Sequence, residues 1–279
     1  MNGMLFQKFN TKTNASFDDI EKEQQYLLNK NSDFFIREAY KTLRTNVNFS
    51  LASVTGCRVI AVTSSMQSEG KSITAANLAL SLANADKKVL LIDCDLRKPK
   101  VGRLLGINAR GGLVNLLADS KWTDELVQLY KDTGLTVIVS GKIPPNPSEL
   151  LGSARMLNLI SVMRKKFDYI ILDAPPVNMV TDAVVLGPVV DGYLFVVRSN
   201  QSERASVSHA IEQLGYADAK IMGFVMNGVP LEKTSYGYSK YHYGRYGYGR
   251  YGYGRYGYGR YGRYGYGSED AQQKENVNK

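Results

Sequence analysis

Residues 64 to 72 read SSMQSEGKS, a run of small residues that leads directly into a lysine and a hydroxyl. That order suits a phosphate. Backbone N–H groups of residues 68 to 72 can wrap the anion at a helix N-terminus, Lys71 can span two phosphate oxygens, and Ser72 can ligate Mg²⁺. Counted back from Gly70, Ser65 stands where a phosphate loop usually has its first glycine, so the spacing S-x4-G-K-S survives while one glycine does not. Carboxylates complete the set. VLLIDCDLR, 89 to 97, ends an apolar run in Asp93 and Asp95, and YIILDAPP, 169 to 176, ends another in Asp173. Residues i and i+2 share a face of a strand, so both acids of the pair are expected to face the phosphates. Asp173 stands where an acid would hold Mg²⁺, directly or through water.

These residues need a scaffold that brings strand ends together. Six short apolar runs read as strands: CRVIAVTSS, KKVLLIDCD, LTVIVSG, YIILDAP, GYLFVVR and IMGFVMNGV. Residues 71–85, 148–166, 181–187 and 203–215 read as helices between them, and 33–51 as an amphipathic helix before them, with Phe35, Tyr40 or Ala39, Leu43 and Val47 at helical spacing. Strands apolar on both faces, alternating with helices, predict a doubly wound, mostly parallel α/β sheet with helices on both faces. In such sheets ligands bind beyond the carboxyl ends of the strands, where the motif residues lie. The expected organisation is a polar leader over 1–32, one domain over 33–230, and a tail over 231–279.

Composition narrows the function classes. Cys57 and Cys94 are too few for a disulfide framework, and His209 and His242 too few for a histidine-built metal site, so a reducing cytoplasm is expected. No apolar run reaches the roughly 18 residues of a membrane span, so membrane contact is expected through a partner. The chain carries a formal charge of +9. Lys240, Arg245, Arg250, Arg255, Arg260 and Arg263 supply six of those charges from an acid-free stretch, 236–267. There the pentapeptide RYGYG recurs, and Gly at most intervening positions maximises the entropy lost on ordering, so a flexible low-complexity tail is predicted.

The order GKS, VLLIDCDLRKP, ILDAPP resembles the bacterial tyrosine kinases that regulate capsular and exopolysaccharide synthesis, a branch of the MinD/ParA-like phosphate-loop ATPases. DFFIREAYKTLRTN, GLVNLL, SGKIPPNPSELL, VVRSNQS and the terminal tyrosines match in the same order. The resemblance implies an ATP- and Mg²⁺-dependent protein-tyrosine kinase. Ser68, Glu69, Gly70, Lys71, Ser72, Ile73 and Asn227 would contact nucleotide, Ser72, Asp95 and Asp173 the metal, and Asp93 would orient or deprotonate the attacking phenol. Glu38, Lys41 and Arg44 stand where the family has an E-x2-R-x2-R ring-assembly motif, with Lys in place of one Arg. The implied partners are further copies in a ring, a separate transmembrane activator, a protein-tyrosine phosphatase and other proteins of polysaccharide synthesis. No nucleic acid is expected, and the implied location is cytoplasmic, at the membrane through that activator.

The tail then reads as substrate. Tyr236, Tyr238, Tyr241, Tyr243, Tyr246, Tyr248, Tyr251, Tyr253, Tyr256, Tyr258, Tyr261, Tyr264 and Tyr266 are the candidate acceptors. A flexible tail of this length spans roughly 30 Å, enough to reach a neighbouring subunit, and tethering raises its local concentration toward millimolar. Two other classes stay open on sequence: an ATPase switch that dimerises without phosphorylating protein, and a nucleic-acid-binding tail that stacks bases on tyrosine.

Overall fold

The computed structural model describes residues 24–229 apart from 109–110, 120–125 and 132. Seven strands make one sheet: β1 (Arg58–Ser64), β2 (Val89–Asp93), β3 (Gln128–Leu129), β4 (Leu135–Ile138), β5 (Tyr169–Asp173), β6 (Gly192–Arg198) and β7 (Ile221–Asn227). Their spatial order is β3-β4-β2-β5-β1-β6-β7, and every pairing is parallel except β3 with β4. The fold is therefore the doubly wound α/β sheet expected from sequence. β3 is an addition, since two residues are too short to display a strand period.

Alternation along the strands feeds two cores. Val59, Ala61, Leu90, Ile92, Ile170 and Leu172 point to one face, and Ile60, Val62, Val89, Leu91 and Ile171 to the other. The first face is covered by α4 (Leu113–Asp119), α6 (Ala154–Arg164) and α8 (Arg204–Tyr216); the second by α2 (Lys71–Ala83) and α3 (Val101–Leu105). α1 (Phe34–Ser50) lies outside α2, which explains why α2 is buried almost all round, an apolar helix with no solvated face. α1 begins at Asp33, whose carboxylate accepts from the Phe35 N–H, and it packs through Val47. Phe35, expected on its buried stripe, is instead 54% exposed.

Other boundaries differ for local reasons. The single helix expected over 148–166 is two, α5 (Pro147–Leu151) and α6, because the chain breaks at Gly152 and the Ser153 hydroxyl caps α6 at the Met156 N–H. The helix expected over 181–187 shortens to α7 (Asp182–Val185) with a 3₁₀ turn over Gly187–Val189. α3 and α4 were not anticipated, being too short to show a helical repeat. The expected polar leader is docked in its last part: Leu27 is buried, the Leu28 N–H donates to Asn77 Oδ1, and Asn77 Nδ2 donates to the Tyr26 carbonyl. By its internal contacts the chain divides between Pro230 and Leu231. No described helix is long and apolar enough to cross a membrane.

Candidate active site

Strand order assembles the site. β5 lies between β1 and β2, with Val62 and Asp93 both in register with Asp173. The turn after β1, the acid ending β2 and the acid ending β5 therefore emerge side by side at the carboxyl edge of the sheet.

The turn over 65–70 has the form of an anion cradle. Gly70 takes φ 93°, and a Cβ there would run into Asn227 Nδ2, so both backbone conformation and space require glycine. Among the described residues, no hydrogen bond within the protein takes up the N–H groups of residues 68 to 72. Those donors point to an anion at the start of α2. Ser68 holds φ 64°, a left-handed conformation uncommon for a side-chain-bearing residue. Asn227, expected to contact nucleotide, turns its amide to the loop, donating to the Glu69 and Gly70 carbonyls at 3.2 and 3.3 Å and to Thr74 Oγ1 at 2.9 Å.

The three acids occupy different environments. Lys71 Nζ meets Asp95 Oδ2 at 3.0 Å in a buried pair. Burial alone would depress the ammonium, but Asp173, Asp95 and Asp93 outweigh it and hold Lys71 above its ordinary range. Asp93 does not share Asp95's outlook, contrary to the i, i+2 expectation, because β2 ends at Asp93 and the alternation stops there. Its carboxylate turns back to accept from the N–H groups of Asp95, Lys100 and Val101 at 3.2, 3.1 and 3.0 Å. Burial and then the Asp173 charge push Asp93 well above the usual carboxylate range. Asp93 also borders an open cavity of about 360 Å³ lined by Arg103, Asn108, Ser140, Gly141 and Lys142.

Asp173 is fully buried, and neither carboxylate oxygen accepts a hydrogen bond. Burial lifts it to about 6, while Lys71 and the nearby Ser72 hydroxyl pull the other way. Orphaned buried oxygens of this kind fit a hard divalent cation, which prefers oxygen ligands and completes its shell with phosphate and water. Among the described residues, no group of three or more His, Cys, Asp or Glu side chains forms an all-protein metal cage.

Several contributors had no assigned role in the sequence. Arg97 forms a bidentate pair with Asp182 at 2.9 and 3.0 Å and reaches Ser148 at 3.2 Å. It thus joins the turn after β2 to the starts of α5 and α7. On α1, Lys41 pairs with Glu38 at 2.7 Å in solvent, whereas Arg44 donates to the Ser81 carbonyl and ties α1 to α2. Arg44 is thus engaged within its own subunit. The tail tyrosines, Tyr236 to Tyr266, lie outside the described residues.

The family described as ParA: NUBPL iron-transfer P-loop NTPase matches residues 57–251. The tyrosine-protein kinase YwqD of Bacillus subtilis is 42% identical over 72% of this chain and 85% of its own. The tyrosine-protein kinase CpsD of Streptococcus agalactiae serotype Ia is 36% identical over 72% of this chain and 85% of its own. Among solved structures, the kinase domain of the Escherichia coli tyrosine kinase ETK superposes with a TM-score of 0.66 at 34% identity, covering 70% of this chain and 76% of that one. The chain belongs to the bacterial tyrosine kinases within the ParA-like P-loop NTPases. This kinase accordingly binds nucleotide and transfers phosphate to tyrosine, and its cradle, lysine and acids lie at neighbouring strand ends along one edge of the sheet.

Proposed function

We propose that the kinase uses ATP and Mg²⁺ to phosphorylate its own C-terminal tyrosines, between subunits, and thereby regulates capsular or exopolysaccharide synthesis and export. The observation that carries the reading is the juxtaposition of unsatisfied N–H groups at 68–72 with the buried, unpaired Asp173 carboxylate. Anion donors and cation acceptors brought side by side at the carboxyl ends of β1 and β5 suit a metal–nucleotide. In this reading the loop holds the phosphates, and Lys71 leaves Asp95 to meet the transferring group. Ser72, Asp95 and Asp173 would hold Mg²⁺, which would supply neutralisation of charge on the phosphates. Asp93 takes the phenolic proton. An ordinary tyrosine, near pKa 10, is a poor nucleophile at neutral pH, and a carboxylate raised above its usual range is a better acceptor for its proton. The cavity beside Asp93 is where the acceptor ring would enter.

Each phosphate adds about −1.5 to −2 charges, so roughly four would cancel the six positive charges of residues 236–267. Repulsion would then open a ring into monomers, and a phosphatase would reset it. The ring, a transmembrane activator and other protein substrates belong to this proposal. Purified protein incubated with labelled ATP, alone and with its membrane activator, tests it beside Lys71→Met, whose phosphotyrosine signal should fall by about 100-fold or more. Tail tyrosines that stay bare while nucleotide is hydrolysed would mean an ATPase switch instead. An unchanged oligomer at high phosphate occupancy would remove the ring-opening step.

A further inference from the structure

Glu69 sits inside the phosphate loop, an odd place for an acid in a cradle built for anions. It is 1% exposed, and its carboxylate turns away from the open N–H groups. Oε2 accepts from the Met66 N–H at 2.8 Å, and the Ser65 hydroxyl donates to both oxygens at 2.9 and 3.1 Å. The Ser202 hydroxyl donates to Oε1 from the loop joining β6 to α8. The direction of that last bond is set locally: Ser202 Oγ already accepts from the Arg198 N–H at 2.7 Å, so its proton is directed to Glu69.

The same connecting loop grips the cradle twice more. Arg198 Nη1 donates to the Ser68 carbonyl at 3.1 Å and Gln201 Nε2 to the Gln67 carbonyl at 3.4 Å. The Ser199 N–H donates to the Asn227 carbonyl at 2.8 Å, while the Asn227 side chain holds Glu69 and Gly70 from the other side. Ser65 stands in place of a glycine, and Ser68 is held in a left-handed conformation. A loop short of glycine needs external contacts to keep such a shape.

We infer that Glu69 is a positioning residue that, through Ser202 and the 198–202 loop, holds the phosphate cradle of this kinase in its anion-receiving shape. Glu69 touches no phosphate in this arrangement. Its carboxylate gathers the donors that would otherwise pull the loop closed, and leaves the N–H groups of residues 68 to 72 facing the ligand. Ser65 is compatible with the missing glycine because its hydroxyl has this carboxylate to bond.

The inference rests on nucleotide binding at this loop, so ADP with Mg²⁺ is titrated first into the full-length wild-type protein; absence of binding there would defeat that reading and not the role of Glu69. Glu69→Ala leaves three donors without an acceptor and is expected to weaken ADP binding about tenfold, with KM for ATP rising by a similar factor and kcat changing far less. Glu69→Gln keeps an acceptor for Met66 and Ser65 and offers its amide to Ser202, so affinity should return to within about threefold of wild type. Ser202→Ala should weaken binding about threefold, and the double variant Glu69→Ala/Ser202→Ala should lose little beyond the single Glu69 change. Thermal unfolding of each variant separates misfolding from misplacement. Unchanged KM in Glu69→Ala would overturn the proposal, as would a folded Glu69→Gln as impaired as Glu69→Ala, or additive effects in the double variant.

Discussion

Asp173 shows what burial does to a single carboxylate. Its native value of about 6 lies above the 3.8 of an unperturbed Asp, chiefly through lost hydration. An acid that holds its proton more tightly when folded contributes most to stability below 3.8, and that contribution is lost as pH rises toward about 6. Asp173→Asn is therefore expected to raise the unfolding midpoint of nucleotide-free protein at about pH 8, with the gain shrinking toward about pH 4, where the native acid is already neutral. The same variant should lose tyrosine phosphorylation by about 100-fold or more. Calorimetry across that pH range, beside ATP labelling, reads both effects; a gain that did not depend on pH would exclude a buried, ionised Asp173 in the resting site. Spacing alone marked this residue in the sequence. Its missing hydrogen bonds were not legible there, because they depend on neighbours from β1 and β2.

At the scale of elements, the site is held by loops tied to one another across the carboxyl edge of the sheet. The Arg97 side chain is 42% exposed, yet it neutralises the wholly buried Asp182. Arg97→Ala would leave Asp182 with Ser148 as partner, so a loss of about 2 kcal/mol is expected in urea unfolding, together with weaker phosphorylation because the turn bearing Asp95 is released. Arg97→Lys should restore charge without the two-pronged geometry and recover only part of either. Gly112, legible in the sequence only as part of GLVNLL, opens α4 where a Cβ would strike the Val139 carbonyl and approach Gly141 N at 2.6 Å. Gly112→Ala should destabilise the fold by more than about 2 kcal/mol and displace Gly141 from the cavity beside Asp93. A midpoint within error of wild type would mean that the 139–141 segment yields more easily than its contacts suggest.

For the whole molecule, contacts divide the chain at Pro230, where the sequence also changes from alternating apolar runs to the Tyr/Gly/Arg repeat. Truncation after Pro230 is expected to leave the unfolding midpoint and ADP affinity of the remaining kinase unchanged while abolishing its own phosphotyrosine signal. Full phosphorylation of the truncated chain would relocate the acceptors to the globular part, where Tyr216 is the most exposed tyrosine among the described residues. The six positive charges of residues 236–267 predict a salt-sensitive association with acidic vesicles, which should vanish in the truncated protein.

Sequence by itself marked the phosphate-loop spacing, the three acids, the parallel α/β class and the Tyr/Gly/Arg repeat, because each is written in residues near one another along the chain or in a short period of burial. Tertiary structure alone decided which ends meet. Crossover connections do not lay strands down in chain order, so β5 enters between β1 and β2 and sets Asp173 beside the loop that precedes Lys71. Tertiary structure also parted Asp93 from Asp95 at the end of β2, and joined Glu69 to Ser202 across 133 positions of sequence. No local pattern encodes such pairings. They arise from the register in which the hydrophobic faces of distant strands pack.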